Sequence, residues 1–215
     1  MRHVILVGVA VSVGAVSIVL AQEKTKPTAA TFISDAEIKK VAALKAGDRT
    51  IKVVDIGNEN LAIGFVHRNS TAAGRGAGAG AGRAATPVPA SEPCGQQDAS
   101  APSGLGGTLH DQQSEGYYIL SGSGTLATGG HLINGRKSAA DSETTKVLNG
   151  PSCSGTIAGA DIVRKPVNVG DIVVIPAGVP HAWVEIPDHL DYLVFRPSAR
   201  VLEAGYIDPV IRAAQ

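Results

Sequence analysis

The chain of 215 residues carries no excess of charge: Lys and Arg total 19, Asp and Glu total 19, and neither sign runs in blocks. Binding to a phosphate backbone or an anionic membrane surface needs a basic stripe, so its absence leaves a small molecule as the expected partner. Cysteine is reduced to Cys94 and Cys153, too far apart in sequence for a zinc knuckle. In an oxidising compartment these two thiols on separate loop segments can form a disulfide; unpaired thiols are the alternative. Recognisable amphipathic helix patterns are few, whereas glycine (26) and proline (12) are abundant. That balance excludes a helical bundle and favours a turn-rich β protein, with length enough for one domain and a large core.

The first residues, MRHVILVGVAVSVGAVSIVLAQEK, place one arginine before an uncharged apolar run that ends in small residues. They read as an export signal over residues 1–21, cleaved after Ala21, with a periplasmic or secreted product that no longer meets a membrane. A retained anchor is the other reading, because Val4 to Ala21 spans 18 residues. Residues 22–49 form an N-terminal segment with one helix. Ser34-Asp35-Ala36-Glu37 is a capping box, Ile33 and Ile38 are placed as a hydrophobic staple, and the pattern runs through Val41 and Leu44 to a stop at Gly47.

From residue 50 the rhythm is that of short strands. Thr50 to Ile56 and Leu61 to His67 flank Gly57-Asn58-Glu59-Asn60, the composition of a hairpin turn. Further strands are expected at Thr108 to His110, Gly116 to Leu120, Gly124 to Ala127, His131 to Ile133, Asp171 to Ile175, Ala182 to Ile186 and Tyr192 to Phe195. Two stretches break the rhythm. Residues 69–90 are Gly, Ala, Thr, Pro and Arg, and read as a flexible loop with too little apolar mass to offset ordering. They are no phosphate cradle, since no Gly-Lys-Ser/Thr closes them. Residues 136–165 are polar and turn-rich, and read as an inserted loop. The barrel is expected over 50–200, with 201–215 as a C-terminal tail.

Histidine is scarce, at six, so its positions are informative. His110 ends one expected strand, Glu115 begins the next, and His181 opens a third after a Pro-Gly turn. Two imidazoles and a carboxylate suit a borderline divalent metal and leave positions free for water or substrate. Strand alternation aims Thr108, His110 and Gln112 at one face, which makes Gln112 a candidate replacement oxygen ligand and Thr108 a candidate substrate contact. By the same rule Trp183 and Glu185 point as His181 does, and Tyr117 points as Glu115 does. Tyr117 and Trp183 are therefore candidate pocket residues, or ordinary core. Glu185 is a candidate general base, since a carboxylate facing a barrel interior is costly unless paired. His67, His131 and His189 are read as surface or rim residues.

These spacings resemble the two motifs of the cupin superfamily. Within HDQQSEGYYILSGSG, Glu115 follows His110 by five positions and Gly122 follows Glu115 by seven; Gly170, Pro176, Gly178 and His181 fall in the second motif, with Glu185 where it has Asn. The resemblance implies an all-β fold, a cupin-type β-barrel (double-stranded β-helix or jelly roll) behind a short N-terminal helix. It also implies one divalent transition metal, Mn, Fe, Ni, Cu or Zn, on His110, Glu115 and His181. The motif's first histidine is replaced by Thr108, so one protein ligand fewer is expected. Oxygenase, isomerase and lyase chemistry all occur on this scaffold, so the expectation is a metal-dependent enzyme acting on a small polar organic molecule. A non-catalytic binding or sensing protein with a degenerate site is the alternative from another class, and a homodimer is compatible with either.

Overall fold

Ser34 closes its capping box as the sequence predicts. Its side chain accepts the Glu37 N–H, and the Glu37 carboxylate accepts the Ser34 N–H at 2.8 Å, starting helix α1 (Asp35–Ala42). The helix stops short of Gly47, but Ile33 and Ile38 still pack onto Val41, Ile51, Phe65 and Ile211. The computed structural model describes residues 27–71, 92–198 and 201–213. The expected export segment and nearly all of the 69–90 stretch lie outside the described residues. No helix among the described residues is long and apolar enough to cross a membrane.

The rest is sheet. In chain order the strands are β1 (Asp48–Asp55), β2 (Asn60–Asn69), β3 (Pro93–Cys94), β4 (Gly106–His110), β5 (Glu115–Gly122), β6 (Gly124–Thr128), β7 (His131–Lys137), β8 (Ser152–Ala158), β9 (Val163–Val167), β10 (Ile172–Ile175), β11 (His181–Glu185) and β12 (His189–Ser198). They make two antiparallel sheets, ordered β1-β2-β12-β5-β10 and β3-β7-β8-β4-β11-β6-β9. The sheets face each other across a core of Val66, Tyr117, Ile119, Leu126, Trp183, Leu190, Tyr192 and Val194. Alternation explains the choice: Glu115, Tyr117 and Ile119 of β5 are buried, while Tyr118 and Leu120 on the opposite face are exposed. Gly122 turns at φ +73° where β5 meets β12; a Cβ there would lie 1.9 Å from the His189 carbonyl oxygen.

Two stretches are more ordered than the sequence predicts. Within 136–165, Ser152–Ala158 is strand β8, hydrogen-bonded to β4 on one side and β7 on the other, and β9 begins at Val163. Its Ser- and Gly-rich composition hides it, because two ladders and the burial of Cys153 and Ile157 supply what propensity does not. The 201–215 stretch is likewise no free tail. Leu202 and Ile211 are fully buried, and α2 (Pro209–Arg212) is capped by Asp208 and packs with α1 over the outer face of β1 and β2.

Cys94 of β3 and Cys153 of β8 form a disulfide, with Cα atoms 6.1 Å apart. The bridge crosses β7 over Gly135, where a Cβ would stand 2.6 Å from the Cys153 sulfur. A bridge closing a loop of this length restricts the unfolded chain by about 4 kcal/mol in the chain-entropy picture. Thiol titration of unreduced, denatured protein should find no free thiol, and reduction should lower Tm by roughly 10 °C. Two thiols titrating before reduction would contradict the pairing.

Candidate metal centre

His110 and Glu115 lie at the two ends of one tight turn, the last residue of β4 and the first of β5. The Pro176-Ala177-Gly178 turn is pinned against it. The Gly178 N–H donates to the His110 carbonyl at 2.8 Å, and the Ala177 N–H donates to the Ser114 hydroxyl at 3.2 Å. That turn delivers His181, the first residue of β11, whose cross-strand partner on β4 is Thr108. The two stretches that carry the site residues are therefore tied by the Gly178–His110 backbone bond, the Ala177–Ser114 bond and the pairing of His181 with Thr108.

All three side chains are buried, and their donor atoms lie within 4.8 Å of one another. The Nε2 atoms of His110 and His181 stand 3.4 and 3.2 Å from the same oxygen, Oε2 of Glu115. A tetrahedral ion with bonds of about 2.1 Å spaces its ligand atoms about 3.4 Å apart, so the donor set fits such an ion. The outer nitrogens agree. Nδ1 of His181 donates to the Val179 carbonyl at 3.0 Å and Nδ1 of His110 meets the Ser152 hydroxyl at 2.8 Å, so each ring is oriented from behind, as metal-ligating imidazoles are. Burial and the neighbouring His181 and Arg196 charges push His110 below its ordinary value against the opposing pull of Glu115, which favours the neutral imidazole that a ligand must be.

Glu115 is the electrostatic centre. Burial alone would raise its carboxyl; the Arg196 guanidinium, helped by the two histidines, outweighs burial and holds it well below the usual range. Arg196 Nε donates to Oε1 at 2.7 Å, and its two terminal nitrogens take both oxygens of Asp48. The Tyr117 hydroxyl donates to Oε2 at 2.6 Å. Burial and the Glu115 charge push that phenol well above its ordinary value, so Tyr117 keeps its proton. One oxygen of Glu115 is thus committed to Arg196, and the other faces the two histidines.

Of the remaining sequence candidates, Thr108 shares the inner face with His110, but its hydroxyl donates to the Cys153 carbonyl at 3.1 Å. Tyr117 and Trp183 are buried together with Tyr192, and Tyr117 alone of the three touches the site. Gln112 and Glu185 are corrections. β4 ends at His110, so alternation stops before Gln112, which is exposed in the turn. A β-bulge between Trp183 and Glu185 shifts the register of β11 against β6, so Glu185 faces solvent and Ile186 takes the buried position. His67 and His189 lie in a separate network of Asp191, Ser121 and Asp188. Arg196, Asp48 and Ser152 were missed from sequence. Only Arg196 left a signal, as a cation two positions after Val194 on the inward row of an apolar strand.

The two antiparallel sheets have the fold of a cupin-type double-stranded β-helix, and His110, Glu115 and His181 converge inside it. Solved structures similar to it in fold include the DMSP lyase DddQ from Ruegeria pomeroyi, at 16% identity over 68% of this chain and TM-score 0.30. This chain covers 47% of that lyase chain, about half its length. A cupin protein from Bacteroides fragilis is similar at 17% identity, with 68% of this chain and 71% of that one covered and TM-score 0.30. A protein with a double-stranded β-helix domain from Klebsiella pneumoniae is similar at 12% identity, with 71% and 80% covered and TM-score 0.31. No protein-family model and no curated protein sequence matches the chain.

Arg196 is 2% exposed and neutralises two carboxylates, so removing it should be severe. Arg196→Met should lower the unfolding free energy in urea by about 3–5 kcal/mol, the usual result of leaving one side of a buried ion pair alone, with Arg196→Lys intermediate. A loss below about 1 kcal/mol in Arg196→Met would show that the ion pairs are not what holds Glu115.

Proposed function

We propose that this protein is a metal-dependent cupin enzyme acting on a small polar organic molecule at His110, Glu115 and His181. The observation that carries the reading is that two back-oriented imidazoles present Nε2 to one oxygen of a carboxylate whose other oxygen is already held. Such a site offers few protein donors and open coordination positions, the composition of a working centre rather than a closed structural one. A bound divalent ion, Mn, Fe, Ni, Cu or Zn, supplies Lewis acidity there and sites for water or substrate.

The chain's own residues set the rest. Ser152 and the Val179 carbonyl orient the rings, Arg196 keeps Glu115 ionised, and the protonated Tyr117 hydroxyl donates to Glu115 Oε2 at 2.6 Å and fixes that oxygen. Thr108, in place of a third histidine, leaves room beside His181 for substrate oxygen. As to location, the Cys94–Cys153 bridge supports an exported, oxidising compartment. The non-catalytic reading, a binding or sensing protein with a decayed site, turns on the same Thr108.

One comparison tests both. Zinc and manganese content and turnover on a panel of small acids and sugars should be measured for the parent, His181→Ala and Thr108→His proteins. His181→Ala should lose bound metal while keeping the parent's circular dichroism; unchanged metal content would refute the site. Thr108→His should bind metal more tightly and turn over more slowly, because the added imidazole occupies the substrate's position. A rise in both affinity and turnover would instead favour the decayed site.

A further inference from the structure

The two sheets end in the edge strands β1, β10, β3 and β9, and an edge strand presents a row of N–H and C=O groups to any chain that can pair with it. Three of these edges are closed. Beside β1, the Val53 N–H donates to the Tyr206 carbonyl at 3.0 Å, and the Gly205 and Asp208 N–H groups donate to the Val53 and Ile51 carbonyls at 2.8 and 2.9 Å. β3 is two residues long. β9 carries Arg164, Lys165 and Pro166, two charges and a residue without an N–H. β10, the run Ile172–Ile175 of four aliphatic residues, has none of these protections.

The ladder with β5 fixes which backbone groups of β10 face outward. The Ile119 N–H donates to the Asp171 carbonyl at 3.1 Å, so in this antiparallel pair the odd-numbered residues bond to β5, and Ile172 and Val174 turn their N–H and C=O groups to the open edge. No strand among the described residues pairs on that side. The side chains of the same two residues are 71% and 72% exposed, and Val169 before the strand and Val163 on β9 are more than half exposed. Together the four leave on the order of 400 Å² of apolar surface, as much as the largest patch on an ordinary monomer.

We propose that two copies of this chain pair through β10, antiparallel about a two-fold axis at Val173. A second copy is the occupant because this edge is its own complement. With Val173 opposite the partner's Val173, the outward groups of Ile172 meet those of the partner's Val174, and those of Val174 meet the partner's Ile172, so the edge groups of both residues are satisfied in both copies. The same register sets Asp171 opposite the partner's Ile175, so no like charges face each other across the strands. Strand and flanking valines cover about 600 Å² per copy, the small end of specific interfaces, which implies a dissociation constant in the micromolar range.

Sedimentation velocity of the purified, disulfide-bonded chain from about 2 to 200 µM should show a monomer–dimer equilibrium. Val174→Pro removes an N–H that faces the open edge and leaves the β5 ladder intact, so it should weaken dimerisation tenfold or more with the parent's circular dichroism kept. Val174→Thr, which keeps the N–H, should retain the dimer. Phe195→Lys, on the outer face of β12 two strands from the edge, should change the dissociation constant less than threefold. Under oxidation Val173→Cys should cross-link into dimers and Ile172→Cys should not, because only residues on the axis bring their Cβ atoms to about 5 Å of each other. If Val174→Pro loses the parent's circular dichroism, this cross-linking pair decides alone. A parent that stays monomeric at about 200 µM, a dimer broken by Phe195→Lys and unmoved by Val174→Pro, or cross-linking at Ile172→Cys in place of Val173→Cys overturns the assignment.

Discussion

A carboxylate at 2% exposure inside a β-barrel is stable only where cations and donors surround it, and at Glu115 the surrounding begins with Arg196. That guanidinium reaches Oε1 from β12 while Asp48 of β1 holds its other nitrogens, so one ion-pair network joins strands at both ends of the chain. The consequence for chemistry is direct. With Oε1 committed, Glu115 presents Oε2 to His110 and His181. Tyr117 then adds a proton donor to that oxygen, so the same network that makes burial tolerable also fixes the geometry of the site.

The backbone supports this from the other sheet. Thr108, His181 and Thr128 lie in one register row across β4, β11 and β6, and the Gly178 N–H bonded to the His110 carbonyl ties the two motif turns together. β8 backs the row: Ser152 orients His110, and Cys153 is bridged to Cys94 across β7. The site is thus placed by hydrogen bonds, register and a covalent link.

His181 was legible because it follows the Pro176-Ala177-Gly178 turn, whereas His110 and Glu115 flank a turn without Gly or Pro and were legible through the spacing that resembles the cupin motifs. Period-two alternation served as long as a strand continued. It misplaced Gln112, because β4 stops at His110, and Glu185, because a bulge adds a residue to β11. Bulges and strand ends arise from pairing partners, which no local window contains. β8 and α2 were hidden for a similar reason, since weak propensity was overruled by two ladders and by the buried Ile211. Arg196 was missed because the last strand was expected to end at Phe195, yet β12 continues through Pro197 to Ser198, paired with β2.

In the proposed centre a divalent ion is held between two imidazoles and a single oxygen of Glu115. X-ray absorption at the zinc edge of zinc-loaded protein reads this most directly. The expected spectrum carries the multiple-scattering signature of two imidazoles at about 2.0 Å, with the remaining shell made of oxygen and no sulfur. A spectrum with no imidazole, or with an all-oxygen shell, would contradict it.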